Sequence, residues 1–114
     1  MNDAITIAEI REDMRNLTVI GKITHIGETQ IVRTRFGEAR VAAATLEDQT
    51  GSIRLNLWRE QTDMVKSGDT VRVEIAFVRV FNYQNELNVG KDGKIVVLVG
   101  YANSMATDDR GRDG

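Results

Sequence analysis

Apolar and polar residues alternate along five separate segments of this chain. Alternation with a period of two is typical of β-strands that bury one face, because successive side chains point to opposite sides of a strand. The segments begin at residue 17 and continue over residues 39–47, 52–58, 70–81 and 86–99, the last with an interruption at Lys91-Asp92-Gly93. The pattern therefore predicts an all-β domain.

The connections between these segments are short or polar. Residues 27–38 (GETQIVRTRFGE) predict strand ends joined by a mobile loop, and Asp48-Gln49-Thr50-Gly51 predicts a turn. Residues 59–67 (REQTDMVKS) predict a short helical connection. Before the first strand, Thr6-Ile7-Ala8-Glu9 fits the capping box of a helix start, which predicts a short helix or turn that packs over one end of the core.

Five strands with a short helix between the third and the fourth is the layout of an OB-fold barrel. We therefore expect a five-stranded OB-fold barrel with an N-terminal helical turn over residues 1–102, followed by a disordered polar tail over residues 103–114. An SH3-like barrel is the competing interpretation of the same pattern. A chain of 114 residues has room for one such domain.

The predicted fourth strand changes phase near its middle. Val71, Val73 and Ile75 are apolar at odd positions, whereas Val78 and Val80 are apolar at even positions. Because side chains switch faces at every residue, strict alternation cannot place both sets in one core. A β-bulge near Ile75, which inserts one extra residue, would reset the register and turn Val78 and Val80 towards the core.

The same bulge decides where aromatic side chains point. Three of the six aromatic residues of the chain, Phe77, Phe81 and Tyr83, lie within residues 76–84. With the bulge, Phe77, Arg79 and Phe81 share the outer face of the strand. An unbroken strand would instead bury both phenylalanines, expose two valines and point Arg79 inward. We expect the bulge, because it avoids the exposed valines and the inward arginine.

Composition narrows the chemistry that the domain can perform. Cysteine is absent and His25 is the only histidine, so disulfides, thiol catalysis and imidazole clusters for metals are excluded. No apolar run approaches the ~20 residues of a membrane span, and we expect a soluble cytoplasmic domain without cofactor, catalytic activity or membrane partner. The net charge is −2, but residues 17–100 carry eleven Lys and Arg against ten Asp and Glu, so charge permits a nucleic-acid partner without demanding one.

Five stretches of the chain together resemble one protein family. They are IAEIREDMRNLTVIGKI (7–23), TRFGEARV (34–41), DQTGSIRLNLW (48–58), SGDTVRV (67–73) and ELNVG (86–90). In order and spacing they resemble the archaeal single-stranded DNA-binding proteins and the OB domains of archaeal replication protein A. The single-OB B subunit of the human single-stranded-DNA sensor complex is a more distant match.

The resemblance implies which side chains bind DNA. In that family, bases stack on a tryptophan that closes the third strand and on two aromatic residues of the fourth strand, and these positions are matched by Trp58, Phe77 and Phe81. Family members often carry Trp or Tyr where this chain has Phe77. Asn88 matches a position that is Asn in some relatives and Tyr in others, which implies a hydrogen bond to a base or sugar.

Arginines are the candidate contacts to phosphate, because a guanidinium can bind phosphate and also stack on a base. We expect Arg33 and Arg35 to act from the loop, and Arg54 and Arg79 from the aromatic face. Tyr83 either contacts a base or packs against the barrel rim. Further candidates for contact with nucleic acid are Phe36, Asn56 and Lys91.

The predicted function is sequence-tolerant binding of single-stranded DNA by a monomer associated with the nucleoid. Such binding would protect DNA during replication, recombination and repair, with replication or repair proteins as further partners. Two alternatives stay open: an OB protein that binds single-stranded RNA, and an OB module whose aromatic face binds a protein.

Overall fold

The computed structural model describes residues 4–98 of the chain, and the predicted tail over residues 103–114 lies outside them. A 3-10 turn, Ile7–Glu9, precedes the first strand. The described residues then form β1 (Leu17–Ile26), β2 (Gln30–Thr34), β3 (Gly37–Asp48), β4 (Gly51–Trp58), α1 (Gln61–Met64), β5 (Thr70–Phe81) and β6 (Gln84–Val97). The predicted all-β OB-fold, with its short helix and its N-terminal turn, is confirmed.

The strands form one sheet in the order β1-β5-β6-β4-β3-β2, and a further pairing of β1 with β3 closes five of them into a barrel. β4 and β6 run parallel to each other and pair over only three residues of each strand, from Arg54 opposite Glu86 to Asn56 opposite Asn88. Apolar side chains of the barrel strands fill the interior. The largest fully buried ones are Ile23, Leu46, Leu55, Leu57, Leu87, Val19, Val71 and Val73.

Within residues 27–38, a separate strand and a tight turn take the place of the mobile loop that was predicted between strand ends. β2 pairs with the first half of β3, from Gln30 opposite Val41 to Thr34 opposite Gly37. The Thr34 hydroxyl donates to the Gly37 carbonyl oxygen over 2.7 Å, and Gly37 adopts the positive φ of 107° for which glycine is suited. The sequence did not reveal this strand, because both of its faces are largely exposed and carry no clear alternation.

The N-terminal turn packs onto the core, as predicted. Ile7 and Ile10 are buried there. The Glu9 carboxylate accepts hydrogen bonds from the backbone amide and the hydroxyl of Thr6 over 2.8 and 3.0 Å. Both bonds lower the pKa of Glu9, and the bond from the backbone amide has the larger effect. Only this single turn, Ile7–Glu9, is helical, although apolar residues continue at helical spacing after it.

Asp48 joins the N-terminal turn to the connection between β3 and β4. One carboxylate oxygen accepts from the Ile7 amide over 2.8 Å. The other accepts from the amide and the hydroxyl of Thr50 and from the Gly51 amide, over 2.7, 2.6 and 3.2 Å. Burial by itself raises the pKa of Asp48, but these hydrogen bonds outweigh it and hold the pKa below its ordinary value. The predicted turn is confirmed.

β5 contains the predicted bulge, and it lies at Ile75. Against β1, the two residues Glu74 and Ile75 stand opposite Thr18 alone, which gives the inserted residue of the bulge. The pairing of β5 with β6 also shifts between Glu74 and Ala76, so that residues 90–93 of β6 stand opposite Ile75. Ile75 has a φ of 56°, and its side chain is exposed. The interruption predicted within the last strand is therefore the β6 side of this bulge, and β6 continues through it to Val97.

Two glycines of β6 make room for the bulge. A Cβ atom on Gly90 would lie 2.6 Å from the carbonyl oxygen of Ile75, and one on Gly93 would overlap the carbonyl oxygen of Glu74. Both obstacles are backbone atoms, which cannot rotate aside as the end of a side chain can. The bulge therefore depends on glycine at these positions.

Beyond the bulge the strand follows the predicted phase, with one exception. Ala76 and Val78 are buried in the core. Val80 was predicted to face the core as well, but it is exposed. It lies opposite Asn85, where the β5–β6 hairpin extends beyond the barrel and has no apolar layer to cover.

We expect Gly93→Ala to lower the free energy of unfolding by about 1–3 kcal/mol, because the new methyl group forces the two backbones of the bulge apart. Denaturant unfolding followed by circular dichroism measures this change. Gly51→Ala is the matched control, since a Cβ atom there lies 3.8 Å from the nearest atom, Cγ2 of Ile7. A Gly93 variant as stable as the wild type would contradict the close approach of the strands.

Asp48 should make the stability of the fold depend on pH. Because its pKa is depressed in the folded state, its contribution is complete above the pKa of the unfolded chain and is lost as the pH falls through the folded value. The free energy of unfolding should therefore drop below about pH 4. Asp48→Asn should cost about 1 kcal/mol at neutral pH and flatten the acid decline. Urea titrations at neutral and acidic pH test this, and an unchanged acid decline in the variant would contradict it.

Candidate nucleic-acid interface

The outward-facing residues of β4, β6 and β5 form one continuous surface, with β6 in the middle. Residues that pair directly across strands point to the same side of a sheet. Two rows of paired residues cross this surface, Asn56–Asn88–Phe77 and Arg54–Glu86–Arg79. We call this surface the trough: its floor consists of Asn56, Glu86 and Asn88, and its walls carry Trp58 on one side and Phe77 and Phe81 on the other.

The walls of the trough are aromatic. Trp58 ends β4 and is half-buried, and its indole Nε1 donates to Oδ1 of Asn88 over 3.3 Å. Phe77 is half-buried opposite Asn88. Phe81 is 59% exposed near the end of the β5–β6 hairpin. The bulge at Ile75 thus leaves both phenylalanines outside the core and on the side of the sheet that carries Trp58.

The floor of the trough is a buried network of polar side chains. Asn56, Glu86 and Asn88 are 7%, 8% and 7% exposed. Nδ2 of Asn56 donates to Oε1 of Glu86 over 3.0 Å and to Oδ1 of Asn88 over 3.3 Å. Oδ1 of Asn56 accepts from Nε of Arg54 over 2.9 Å, and the same Nε lies 3.6 Å from Oε2 of Glu86. Hydrogen bonds thus compensate for most of the cost of burying these groups.

One buried atom of the floor has no hydrogen-bond partner within the described residues. It is Nδ2 of Asn88. Oδ1 of Asn88 accepts from Asn56 and from Trp58, so turning the amide over would bring its NH2 group against two donors. The orientation is therefore fixed, and Nδ2 is a donor that an acceptor reaching the floor can satisfy.

Glu86 is the residue of this site that sequence reasoning missed. It lies between Arg54 on β4 and Arg79 on β5, and its carboxylate faces the Arg54 side. Its alternation with Leu87, which is fully buried, places it on the outer face and could have identified it. The middle of the trough therefore carries two positive charges and one negative charge.

The β2–β3 hairpin places only one of its two candidate arginines beside an aromatic ring. The guanidinium of Arg35 lies 5.7 Å from the centre of the Phe36 ring at the exposed tip. Arg33 pairs with Glu38, whereas Trp58 pairs with Val41. Glu38 and Val41 lie an odd number of residues apart and point to opposite faces of β3. Arg33 therefore does not share the face of Trp58.

The β5–β6 hairpin ends in the two-residue turn Asn82-Tyr83. Both residues have positive φ, 51° and 65°, as a type I′ turn requires. Tyr83 is fully exposed, at 102% of the reference area, so the predicted alternative in which it packs against the barrel rim is wrong. Lys91 is also exposed and shares a groove with Phe77, at the end of the trough nearer the bulge.

Two further features, a metal-binding cluster and a membrane-spanning helix, are absent from the described part of the chain. Residues 4–98 contain no cluster of His, Asp or Glu side chains that could hold a metal ion. None of their helices is long and apolar enough to cross a membrane.

Sequence comparison relates the chain to DNA-binding proteins. Residues 12–97 match the family model described as single-stranded DNA binding protein Ssb-like, OB fold. The chain is 27% identical over 89 residues to the single-stranded DNA binding protein Ssb of Saccharolobus solfataricus, covering 78% of this chain and 60% of that protein. It is 32% identical over 91 residues to replication factor A of Methanothermobacter thermautotrophicus, covering 79% of this chain and 12% of that protein. The chain thus spans less than two thirds of either relative.

Solved structures support the same relationship. The OB domain of a Thermoplasma acidophilum protein superposes with a TM-score of 0.74 at 28% identity, over 85% of this chain and 88% of that domain. A replication factor A related protein of Methanobacterium thermoautotrophicum superposes with a TM-score of 0.71 at 25% identity, over 84% and 91% of the two chains. The Ssb protein and the two replication factor A relatives are named for DNA binding or replication, in agreement with the expected absence of catalysis. The chain belongs to the Ssb-like family of OB-fold single-stranded DNA-binding proteins.

Proposed function

We propose that this protein binds single-stranded DNA in the trough, with bases stacked on Trp58, Phe77 and Phe81. The observation that carries the proposal is the bulge at Ile75, which leaves two phenylalanines on the same outer surface as the only tryptophan. β4 and β5 are two strand spacings apart, about 10 Å, which leaves room for a base to stand on its edge between the walls. Family membership and the Ssb relative support DNA as the ligand.

Stacking alone gives moderate affinity and little sequence preference. Each base stacked on an aromatic side chain contributes about 1–3 kcal/mol, and every base has a π face. Three such contacts supply about 3–9 kcal/mol before the cost of ordering the strand is subtracted. Contacts with phosphate must therefore supply much of the remaining affinity.

Arg79 and Arg35 are the strongest candidates for phosphate contacts. Both are exposed, and Arg79 lies on the trough itself. Arg54 is a weaker one, because Asn56 and Glu86 already engage its Nε atom. Arg33 faces away from Trp58, so we expect it to contribute only where the strand leaves the trough.

Other exposed side chains extend the proposed surface beyond the three stacking residues. Phe36 and Tyr83 stand at the tips of the two hairpins, where each can stack on a further base. Lys91 can contact phosphate beside Phe77. Asn88 offers its unsatisfied Nδ2 to an acceptor on a base or sugar, whereas Asn56 acts within the floor and holds Arg54.

The relatives also suggest where such binding would be used. Replication factor A is named for replication, so we propose that this protein protects exposed single strands during replication. The same intermediates occur in recombination and repair, and binding to them would associate the protein with the nucleoid. Replication or repair proteins are then its expected partners.

Fluorescence of the only tryptophan tests the proposal directly. Oligo-dT should quench Trp58 emission, because a stacked base lies against the indole. With three phosphate contacts, a roughly fourfold rise in salt should weaken binding about 18-fold, since the slope per contact is near −0.7 for a single strand. Absence of quenching at low salt would contradict the proposal. Competition by oligo-U distinguishes DNA from RNA as the preferred ligand.

Substitution of an exposed wall residue should separate binding from folding. Phe81→Ala should weaken binding of a labelled oligo-dT about 5- to 150-fold in fluorescence anisotropy, the equivalent of one lost stack. Its stability should stay within about 0.5 kcal/mol of the wild type, because the ring is largely exposed. Ile31→Ala is the matched control, since Ile31 is equally exposed but lies on β2 outside the trough. Equal losses of affinity in both variants would contradict the assignment of the wall.

A further inference from the structure

The floor of the trough contains a network of hydrogen bonds between polar side chains, which base stacking alone does not require. A base that stacks on one wall turns an edge towards β6, where Glu86 and Asn88 lie between the aromatic residues. The hydrogen-bond donors and acceptors on that edge of the base therefore lie next to the polar side chains of the floor. The following inference rests on the proposed binding of DNA in the trough.

Each acceptor side chain of the floor already has a partner within the network. Oδ1 of Asn56 accepts from Arg54, and Oδ1 of Asn88 accepts from Asn56 and Trp58. The carboxylate of Glu86 accepts from Asn56 with Oε1 and faces the Arg54 guanidinium with Oε2.

The groups that are left over are donors. Nδ2 of Asn88 has no partner within the described residues. Arg54 uses only Nε in the network, and its side chain is half-exposed, so its two terminal nitrogens remain available as donors. The floor therefore presents N–H groups to a bound base, next to acceptors that are already taken.

Glu86 is the group that sets this arrangement. If the Asn56 amide turned over, its oxygen would face the Glu86 carboxylate and its NH2 group would face Nε of Arg54. Both contacts would be repulsive, so Glu86 and Arg54 hold Asn56 in one orientation. Asn56 then donates to Oδ1 of Asn88 and leaves Nδ2 of Asn88 as the free end.

We propose that Glu86 is a specificity-determining residue that acts by positioning. By fixing a floor of donors, it favours bases that carry a carbonyl oxygen at the position where adenine and cytosine carry an amino group. Thymine, uracil and guanine are such bases. Glu86 itself does not contact the base, because it is 8% exposed, Oε1 accepts from Asn56, and Oε2 is turned towards the Arg54 guanidinium at 3.6 Å.

A direct contact with Glu86 would give the opposite preference. A free carboxylate accepts a hydrogen bond from the amino group of cytosine. Here that carboxylate is buried and turned towards Arg54 and Asn56, which argues against such a contact. The direction of the base preference therefore distinguishes the two roles.

Two oligonucleotides of equal length isolate this preference. Thymine and 5-methylcytosine have the same ring size and the same methyl group, so stacking is closely matched. The carbonyl at position 4 of thymine is replaced by an amino group, and N3 changes from a donor to an acceptor. Titration of Trp58 fluorescence should show tighter binding of oligo-dT than of oligo-5-methyl-dC. One net hydrogen bond at the site corresponds to a preference of about 2- to 12-fold.

Variants of Glu86 test whether this residue is responsible. In Glu86→Ala the preference should fall, because Asn56 loses one of the two partners that hold its orientation and Arg54 loses its counter-ion. In Glu86→Gln it should be retained, because the side-chain oxygen can still accept from Asn56. Glu74→Ala is the matched control and should keep the preference, since it removes a carboxylate that pairs with Arg72 over 2.6 Å outside the trough. A general loss of affinity would weaken both oligonucleotides alike and leave their ratio unchanged.

Each outcome decides a different question. Equal binding of both oligonucleotides by the wild type overturns the inference and leaves the proposed function intact. Binding of neither oligonucleotide overturns the proposed function itself. A preference for 5-methyl-dC shows direct contact with Glu86 and overturns the positioning role, as does a Glu86→Ala variant that keeps the wild-type ratio.

Discussion

The side chains of a β-strand alternate between its two faces, and β5 meets this constraint by adding one residue. Val71 and Val73 fill the core before the bulge, and Ala76 and Val78 fill it afterwards. The change of register requires Ile75 to adopt a positive φ, in a backbone conformation that is unfavourable for a β-branched residue. The glycines of β6 opposite the bulge allow the two backbones to approach closely enough. The outer aromatic wall on β5 follows from this one adjustment.

The floor of the trough depends on the same packing. β6 can present Glu86 and Asn88 outward only because Leu87 between them is locked in the core. The short parallel pairing with β4 then brings Asn56 into contact with both residues. The resulting surface is nearly balanced in charge at its centre, unlike a strongly basic groove. Stacking should therefore carry a larger share of affinity here, and the hydrogen-bonding pattern of the floor has more influence on which bases bind.

Periodicity along the chain was sufficient to predict the barrel and the bulge, because both leave a local signature in apolar positions. Val71, Val73 and Val78 change phase within one strand, and only an inserted residue reconciles them. The family resemblance identified Trp58, Phe77 and Phe81 as the stacking positions, and the structure places all three side chains on the outer surface of the barrel. β2 was missed because a strand exposed on both faces has no such signature.

The remaining differences arise from contacts between residues that are distant in the chain. Arg54 and Glu86 meet only through the parallel pairing of β4 with β6, which no local pattern reveals. Val80 follows the correct phase, but its exposure depends on where the barrel ends. The face of Arg33 depends on the register of a strand that the sequence did not predict.

Nuclear magnetic resonance of the protein bound to oligo-dT tests the central claim most directly, namely that the bulge makes the outer face of β5 a DNA-binding wall. Nuclear Overhauser effects should connect thymine protons with the rings of Phe77, Phe81 and Trp58, and none should reach the buried methyl groups of Val78. Contacts confined to other surfaces of the barrel, with the rings of Phe77 and Phe81 unaffected by DNA, would contradict the account.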